Sequence, residues 1–166
     1  MPAIDARGRR SGRHSQRSAA EAVGNIDAET PLTTALVQGY KTVWARSAAR
    51  LAPLGLLPGQ ERAIILLWAE GELPQGEIAR RLGVEQPTAT KALQRLERAG
   101  LVRRERDTAD NRQVIVSLTE AGRAAYSPAR NARLALERQF ADALSERERS
   151  QLLRLLAQVT RRRAET

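Results

Sequence analysis

The chain lacks the side chains on which most metal and redox chemistry depends. It contains no cysteine, and its single histidine, His14, lies near the N-terminus. Zinc sites are usually built from cysteine and histidine, and redox sensing needs a thiolate, so neither is expected. No second histidine is present to activate a serine or threonine nucleophile, and no GxGxxG, Walker or GxSxG loop occurs. We therefore expect no enzymatic activity, no metal site and no cofactor.

Long apolar segments are missing as well. The longest apolar run, residues 63–69, is far too short to span a bilayer, and no apolar signal segment follows the N-terminal arginines. These features predict a cytoplasmic protein with no membrane partner. Lysine and arginine total 28 against 19 acidic residues, which gives a net charge of +9 and a pI near 11.3. This excess favours a polyanionic partner.

Residues 1–30 form a basic leader of low apolar content. Five arginines and only one acid, Asp5, occur in its first 17 residues. This composition predicts disorder. The leader is either an arm that touches DNA phosphates or a solvated tail, because arginine-rich termini occur in both roles. The remaining residues, 31–166, are enough for one folded domain.

Periodicity in residues 31–166 predicts a mainly α fold with one β-hairpin. Helical spacing of apolar residues predicts helices over 31–52, from Pro58 onward, over 75–82 and over 86–99, with a tight turn at Gly83. Alternating apolar residues over 101–105 and 114–118 predict two strands of a hairpin. Thr119 and Ser145 can cap two final helices within 119–164, the first with Pro128 inside it. Two short helices, a tight turn and a hairpin are the element order of a winged helix-turn-helix, here about residues 58–118.

The helix predicted over 86–99 has a face that suits base recognition. Gln94 can pair with adenine, Lys91 or Arg95 can contact guanine, and hydroxyl groups can bond to bases or phosphates. The alternative is an ordinary solvated helix face. The candidate DNA-binding residues on this helix are Gln86, Thr88, Thr90, Lys91, Gln94 and Arg95.

Residues 76–122, GEIARRLGVEQPTATKALQRLERAGLVRRERDTADNRQVIVSLTEAG, resemble the MarR-type transcriptional regulators. The most specific part is the D-x-x-D-x-R spacing of Asp107, Asp110 and Arg112, followed by a predicted strand and by LTEAG at residues 118–122. The resemblance implies a homodimer whose N- and C-terminal helices, about 31–52 and 119–164, form a dimerisation bundle. It also implies a repressor that binds pseudo-palindromic double-stranded DNA. An alternative is a winged-helix module that binds proteins and has no specific DNA binding.

By the same resemblance, Arg112 extends from the wing into a minor groove. Narrow A·T-rich grooves concentrate negative potential and attract an inserted guanidinium. Asp110 is the expected acceptor that holds Arg112 extended, and Asp107 is expected to shape the turn through backbone amides. The alternative is a charged hairpin turn with an internal ion pair. Members of the family often have a capping Thr or Ser where this chain has Leu57, so the helix after Pro58 is expected to begin without a side-chain cap or through another acceptor.

Many MarR-type proteins release DNA when a small, often phenolic, acid binds, and aromatic residues could form such a site here. Tyr40 and Trp44 lie four residues apart on the first predicted helix, and Trp68 lies on the second. Aromatic walls with a nearby arginine suit an aromatic carboxylate. The alternative is that these three residues only pack in the core or in a dimer interface.

Overall fold

The computed structural model describes residues 24, 26–108, 110 and 112–160. The chain divides into two compact units, residues 1–43 and residues 44–166. From residue 31 onward the described part contains six α-helices, a short 3-10 helix (Ala52–Leu54) and three short strands, as the sequence predicts for a mainly α fold. The helices are α1 (Pro31–Leu51), α2 (Gln60–Glu70), α3 (Gln75–Leu82), α4 (Gln86–Arg98), α5 (Glu120–Ala141) and α6 (Glu146–Thr160), and the strands are β1 (Leu73–Pro74), β2 (Val102–Arg106) and β3 (Val114–Leu118).

The first unit contains the N-terminal part of α1 and a short helical stretch before it. Residues 26–29, which the sequence assigns to the leader, are helical. The Thr30 hydroxyl donates to the Ile26 carbonyl at 2.7 Å, and the Thr34 hydroxyl donates to Asp27 at 3.1 Å. These bonds join the stretch to the start of α1. Residues 1–23, including the arginines of the leader, lie outside the described residues.

Helix α2 begins two residues later than Pro58, where the sequence predicts its start. Gly59 has a φ of 93°, a left-handed conformation that cannot continue as a helical turn, so α2 begins at Gln60. Helix α2 begins without a side-chain cap at its N-cap residue Gly59, which is one of the two expected outcomes. Side chains of the first turn bond instead to amides that precede the helix. The Leu57 amide donates to Gln60 Oε1 at 2.8 Å, and the Gly59 amide donates to Glu61 Oε2 at 2.7 Å.

The helix-turn-helix follows the predicted boundaries closely. Helix α3 covers the predicted residues 75–82 and ends at Gly83, whose φ of 67° allows the sharp turn. Helix α4 begins three residues later, with Pro87 in its first turn where a missing amide costs nothing. Its inner face buries Ala89, Leu93 and Leu96, each at most 3% exposed. That face joins a core formed by α2, α3, α5 and the sheet.

The sheet contains one strand more than the sequence predicts. Its order is β1-β3-β2, and both pairings are antiparallel. Strand β2 is shifted by one residue from the predicted 101–105, while β3 matches the prediction. Strand β1, with Leu73 opposite Val116, attaches the N-terminal side of α3 to the hairpin. The wing is therefore continuous with the helix-turn-helix.

The last two helices have the predicted caps. The Thr119 hydroxyl accepts the amide of Gly122 at 3.0 Å, and α5 then runs through Pro128 without interruption. At the start of α6 the Ser145 amide donates to Glu148 Oε2 at 2.9 Å, and the Glu148 amide donates back to the Ser145 hydroxyl at 3.4 Å. This reciprocal pair is a capping box. No helix in the described part of the chain is long and apolar enough to cross a membrane.

Candidate nucleic-acid interface

Helix α4 presents a polar and cationic face opposite the core. Because Ala89, Leu93 and Leu96 are buried, helical geometry directs the other side of the helix to solvent. Five of the six predicted DNA-binding residues on α4 are exposed there: Gln86, Thr88, Lys91, Gln94 and Arg95. This face therefore offers amide, hydroxyl and cationic groups along the whole length of the helix.

The sixth residue, Thr90, is half-buried and its hydroxyl is used within the protein. It donates to the Gln86 carbonyl at 2.8 Å and accepts from Gln75 Nε2 at 2.8 Å. The hydroxyl proton and one lone pair are therefore engaged in bonds that link α4 to the start of α3. The DNA contact of Thr90 stays a prediction.

The wing tip is held by the carboxylate of Asp110. Asp110 accepts the backbone amide of Arg112 at 3.0 Å and the side-chain amide of Gln113 at 3.1 Å. These two bonds, that from Gln113 first, lower the pKa of Asp110. The Gln113 backbone amide donates to the Asp110 carbonyl at 2.8 Å, and the Asp107 amide donates to the Gln113 carbonyl at 3.1 Å. The turn is thus closed by backbone and carboxylate bonds.

This geometry corrects one expectation about the wing. The sequence predicts that Asp110 holds the guanidinium of Arg112, but the carboxylate holds the backbone of that residue instead. A carboxylate two residues earlier in a tight turn reaches the nearer amide before it reaches the end of a long side chain. The Arg112 side chain is exposed, and no ion pair within the described residues involves it. Its guanidinium is therefore available for an external acceptor.

A cleft of about 540 Å³ lies between the wing tip and the helix-turn-helix. It brings Gln86, at the start of α4, and Arg112, on the wing, to the same depression. Two residues that the sequence predicts to touch DNA are therefore neighbours across one cleft. The other residues that line it are Pro74, Gln75, Gly76, Glu77, Gln113 and Val114.

Sequence reasoning missed the side chains that connect these elements. Arg104 of β2 donates to Glu97 of α4 at 3.1 Å and to Gln75 of α3 at 3.0 Å. The alternation of β2 could have indicated that Arg104 points inward, because it lies two residues after the buried Val102. Its partners lie 7 and 29 residues away, so no local pattern reveals them.

Ion pairs also stabilise α3, the helix that precedes α4. On α3 the Glu77 carboxylate accepts from Arg80 Nη2 at 2.6 Å and from Arg81 Nε at 2.6 Å. Arg81 reaches Glu70 of α2 as well, at 2.9 Å. The two bonds to Glu77 lower its pKa from 4.5 to about 2, and the bond from Arg80 has the larger effect. Among the described residues, no group of three or more acids or histidines could hold a metal ion.

The predicted effector residues differ in their surroundings. Trp68 stacks on Tyr126 of α5, with ring centroids 4.5 Å apart and planes 8° from parallel. This stacking supports the packing alternative for Trp68. Tyr40 and Trp44 are exposed, at 62% and 48%. A separate cleft of about 490 Å³, which the sequence did not indicate, lies between α2, the end of α3 and α5; it is lined by Arg62, Ile65, Leu66, Ala69, Leu82, Arg130, Arg133, Leu134 and Glu137.

Comparisons with known proteins agree with this architecture. The family model described as MarR family matches residues 57–114. A probable transcriptional regulator from Pseudomonas aeruginosa has a similar structure, with a TM-score of 0.70 and 31% identity, over 77% of this chain and 96% of that one. The transcriptional repressor CouR, solved with a 23-mer DNA duplex, has a TM-score of 0.71 and 32% identity, over 81% and 96% of the two chains. The chain therefore belongs to the MarR family of winged helix-turn-helix transcriptional regulators.

Curated relatives match over shorter segments. The HTH-type transcriptional regulator TtmR from Methylorubrum extorquens is 45% identical over 64 residues, which is 39% of this chain and 33% of TtmR. The chain spans between a third and a half of the length of the first curated relatives that it matches. The matched segment of 64 residues is a minor part of either chain, so it does not by itself define the activity or the partners of the whole protein.

Proposed function

We propose that the protein is a cytoplasmic, dimeric transcriptional repressor that binds double-stranded DNA in a sequence-specific manner. The observation that carries this proposal is the exposed face of α4, whose first residue shares a cleft with Arg112 of the wing. This arrangement presents one helix to a major groove and one arginine to the neighbouring minor groove. The similar repressor CouR, solved with a DNA duplex, supports the proposal.

In this proposal α4 reads bases and its start contacts the backbone. The helix has 13 residues, so it is about 20 Å long and fits into a major groove. In this proposal Lys91, Gln94 and Arg95 contact base edges. Gln86 and Thr88, in the first turn, contact phosphates, which fixes the register of the protein but carries no sequence information.

A second copy of the chain is expected to cover the apolar surfaces of α1 and α6. No residue of α6 is buried in the single chain, and Leu152, Leu153 and Val159 are 45%, 63% and 53% exposed. On α1, Leu32 and Val43 are 63% and 43% exposed. Surfaces of this kind are normally covered by an isologous partner. A two-fold dimer would place its two winged regions on a pseudo-palindromic site, one helical turn of DNA apart.

The proposal includes release from DNA by a small aromatic or phenolic acid. The cleft between α2 and α5 suits such a ligand, since an apolar floor of Ile65, Leu66 and Leu134 is bordered by Arg62, Arg130 and Arg133. Arg62 already donates to the Leu82 carbonyl, and Arg133 pairs with Glu61. Arg130 makes no hydrogen bond or ion pair within the described residues, so it is the candidate anchor for a carboxylate. The Tyr40, Trp44 and Trp68 group remains the alternative effector site.

Selection of tight-binding duplexes from fragmented genomic DNA tests the central proposal. We expect one enriched pseudo-palindromic sequence, with an affinity that falls with salt at a slope of about −0.9 for each phosphate neutralised. Enrichment of no sequence, together with equal weak binding to all duplexes, would contradict sequence-specific regulation and favour the protein-interaction module. Titration of the complex with benzoate and hydroxybenzoates tests release, and Arg130→Gln should reduce the response while Arg123→Gln should not.

A further inference from the structure

The Arg104 guanidinium joins the wing to both helices of the helix-turn-helix. Arg104 is the third residue of β2, paired with Val116 of β3, and its side chain is 16% exposed. Nη1 donates to Glu97 Oε2 at 3.1 Å, near the end of α4, and Nη2 donates to Gln75 Oε1 at 3.0 Å, at the start of α3. One side chain therefore bridges three elements.

The bridge continues along α4 through Gln75. The Gln75 side-chain amide donates to the Thr90 hydroxyl at 2.8 Å, and Thr90 donates to the Gln86 carbonyl at 2.8 Å. The connected bonds therefore reach α4 at its first turn, at its middle and at its last turn. A rotation of the hairpin relative to the two helices would have to break the bonds of Arg104 to Glu97 and to Gln75.

The Arg104 contacts are a poor source of net stability. Burying the guanidinium costs desolvation that its attraction to the exposed Glu97 carboxylate often only offsets, and the Arg104 Nε atom is buried with no partner among the described residues. An apolar side chain of similar length would fill the same space without that cost. The planar guanidinium does offer a fixed geometry, because its two terminal nitrogens bind two acceptors in set directions.

The neighbouring arginine shows the contrast. Arg103 points to the other face of the hairpin, and its one ion pair among the described residues is with Glu105, at 3.6 Å, where both side chains are more than 60% exposed. Exposed pairs of this kind contribute little. Arg103 and Arg104 therefore carry the same charge on adjacent residues of one strand, but only Arg104 contacts the helices.

We propose that Arg104 is a positioning residue that fixes the wing relative to α4, so that both grooves of DNA are contacted in one register. From Arg104 the hairpin continues through the Arg106–Val114 pair to the tip that carries Arg112. Loss of the bridge leaves Arg112 intact but lets its position vary. This inference rests on the proposed DNA binding, and it predicts a defect at the wing without a defect in base reading by α4.

Binding measurements with matched variants test the role. Arg104→Lys keeps the positive charge but removes the guanidinium, whose two terminal nitrogens bind Glu97 and Gln75. Arg103→Lys is the control. Each variant is titrated against duplexes that share a core and differ in flanking A·T content, and against a duplex with one altered core base pair. In Arg104→Lys the preference for A·T-rich flanks should fall about tenfold, the size of a single interaction in a groove, while the preference for the core base pair stays. Arg103→Lys should retain both preferences.

A second variant separates positioning from stability. In Arg104→Met with Glu97→Gln, the charge of Arg104, which is 16% exposed, is removed together with that of its solvent-exposed partner, so no unpaired charge is left and the thermal midpoint should stay the same or rise. The flank preference should nevertheless disappear. If it is retained in this variant and in Arg104→Lys, or if only stability changes, the positioning role is wrong.

A distance measurement without DNA keeps this test independent of the proposed function. The chain has no cysteine, so Thr108→Cys on the wing and Arg98→Cys on α4 can carry spin labels at these two sites alone. Arg104→Lys should broaden the distance distribution, and Arg103→Lys should leave it narrow. An unchanged distribution in Arg104→Lys overturns the inference even if duplex binding is strong. If the parent binds no duplex, the proposed function fails and this measurement alone decides the role of Arg104.

Discussion

Asp110 shapes the wing tip through backbone contacts and leaves the guanidinium of Arg112 exposed. Its two oxygens accept the Arg112 amide and the Gln113 side chain, so the carboxylate fixes where the arginine leaves the turn. Asp110 therefore fixes the backbone position of Arg112 and does not orient its side chain. Any side chain with an acceptor at the same place could bind the Arg112 amide in place of Asp110. A salt bridge to the Arg112 guanidinium would need a negative charge.

The first prediction follows from this contact. Arg112→Ala should weaken DNA binding on every operator, and most where the flanks are A·T-rich, because the minor groove offers potential and width more than base identity. Asp110→Ala should give a milder form of the same loss, and Asp110→Asn, which keeps an oxygen for the Arg112 amide, a milder one still. Titration of two duplexes with a common core and different flanks measures all three variants. Equal affinity of Arg112→Ala and the parent for both duplexes would show that the tip is only a turn.

The second prediction concerns base reading by α4. Gln94→Ala and Lys91→Ala should relax preference at particular base pairs, at roughly 1 to 3 kcal/mol for each good base interaction removed, because each base pair presents its own pattern in the major groove. Competition with single-base variants of the selected operator gives the position affected. Gln139→Ala, an exposed substitution on α5, serves as the control. A uniform loss over all positions would instead assign Gln94 to the phosphate backbone.

The boundaries of helices and strands were predictable where they depend on neighbouring residues in the sequence. They were less predictable where they depend on contacts with distant residues. Gly83 and the Ser145–Glu148 box act within a few residues, and both end or begin helices where the sequence indicates. Strand β1 was missed because two residues that include Pro74 have no pattern of their own and become a strand only by pairing with β3. For the site, the exposed face of α4 followed from helical periodicity. The roles of Thr90 and Arg104 depend on partners in other elements, so periodicity could not show them.

The third prediction explains the glycine of LTEAG. Gly122 is buried in the first turn of α5, and a Cβ there would overlap the backbone carbonyl of Leu101. Helix propensity alone favours Gly→Ala by about 1 kcal/mol, but the overlap should reverse the sign and destabilise Gly122→Ala by about 1 to 3 kcal/mol. Ala124→Gly, at an exposed position of the same helix, is the control and should cost only the helix propensity of about 1 kcal/mol. Urea unfolding at equilibrium measures both. A stabilised Gly122→Ala would contradict the close approach.

The fourth prediction concerns the pH dependence of α3. Arg80, then Arg81, lowers the pKa of Glu77 to about 2 in the folded protein, below its ordinary 4.5. A carboxyl with a depressed folded pKa contributes stability that is present above the unfolded pKa and is lost as pH falls toward the folded one. The thermal midpoint of Glu77→Gln should therefore lie below that of the parent near pH 6, and the gap should close by about pH 2.

Salt provides the check on this assignment. The Glu77 pairs are partly solvent-exposed, so added salt should narrow the gap at neutral pH. Glu72→Gln removes the same charge from an exposed residue that has no ion pair among the described residues, and it should show no such gap. A gap between Glu77→Gln and the parent that does not depend on pH would mean that packing, and not the carboxylate charge, makes the difference.

At the scale of the whole molecule, two features of the chain fit the proposed partners. The net charge of +9 favours binding to DNA, because lysine and arginine side chains that neutralise phosphates release condensed counterions. The exposed apolar residues of α1 and α6 fit a second copy of the chain. A dimer satisfies both at once, because joining two chains doubles the number of phosphate contacts and aligns them on one duplex.

The fifth prediction is that this dimer forms through the exposed apolar residues of α6, together with those of α1. Leu152 is 45% exposed in the single chain, so a lysine there costs little unless a partner covers the site. Leu152→Lys should therefore convert a dimer at micromolar concentration into a monomer, because burying an unpaired ammonium in an interface is strongly unfavourable. Ser150→Lys adds the same charge on the opposite, exposed side of α6 and should leave the dimer intact. Sedimentation equilibrium gives the mass of each variant, and circular dichroism confirms that α6 remains folded.

A folded parent that sediments as a monomer, or a Leu152→Lys variant that stays dimeric, would show that α6 does not form the interface. In that case the operator would have to be read by a single winged region, and the selected DNA would contain one half-site instead of two.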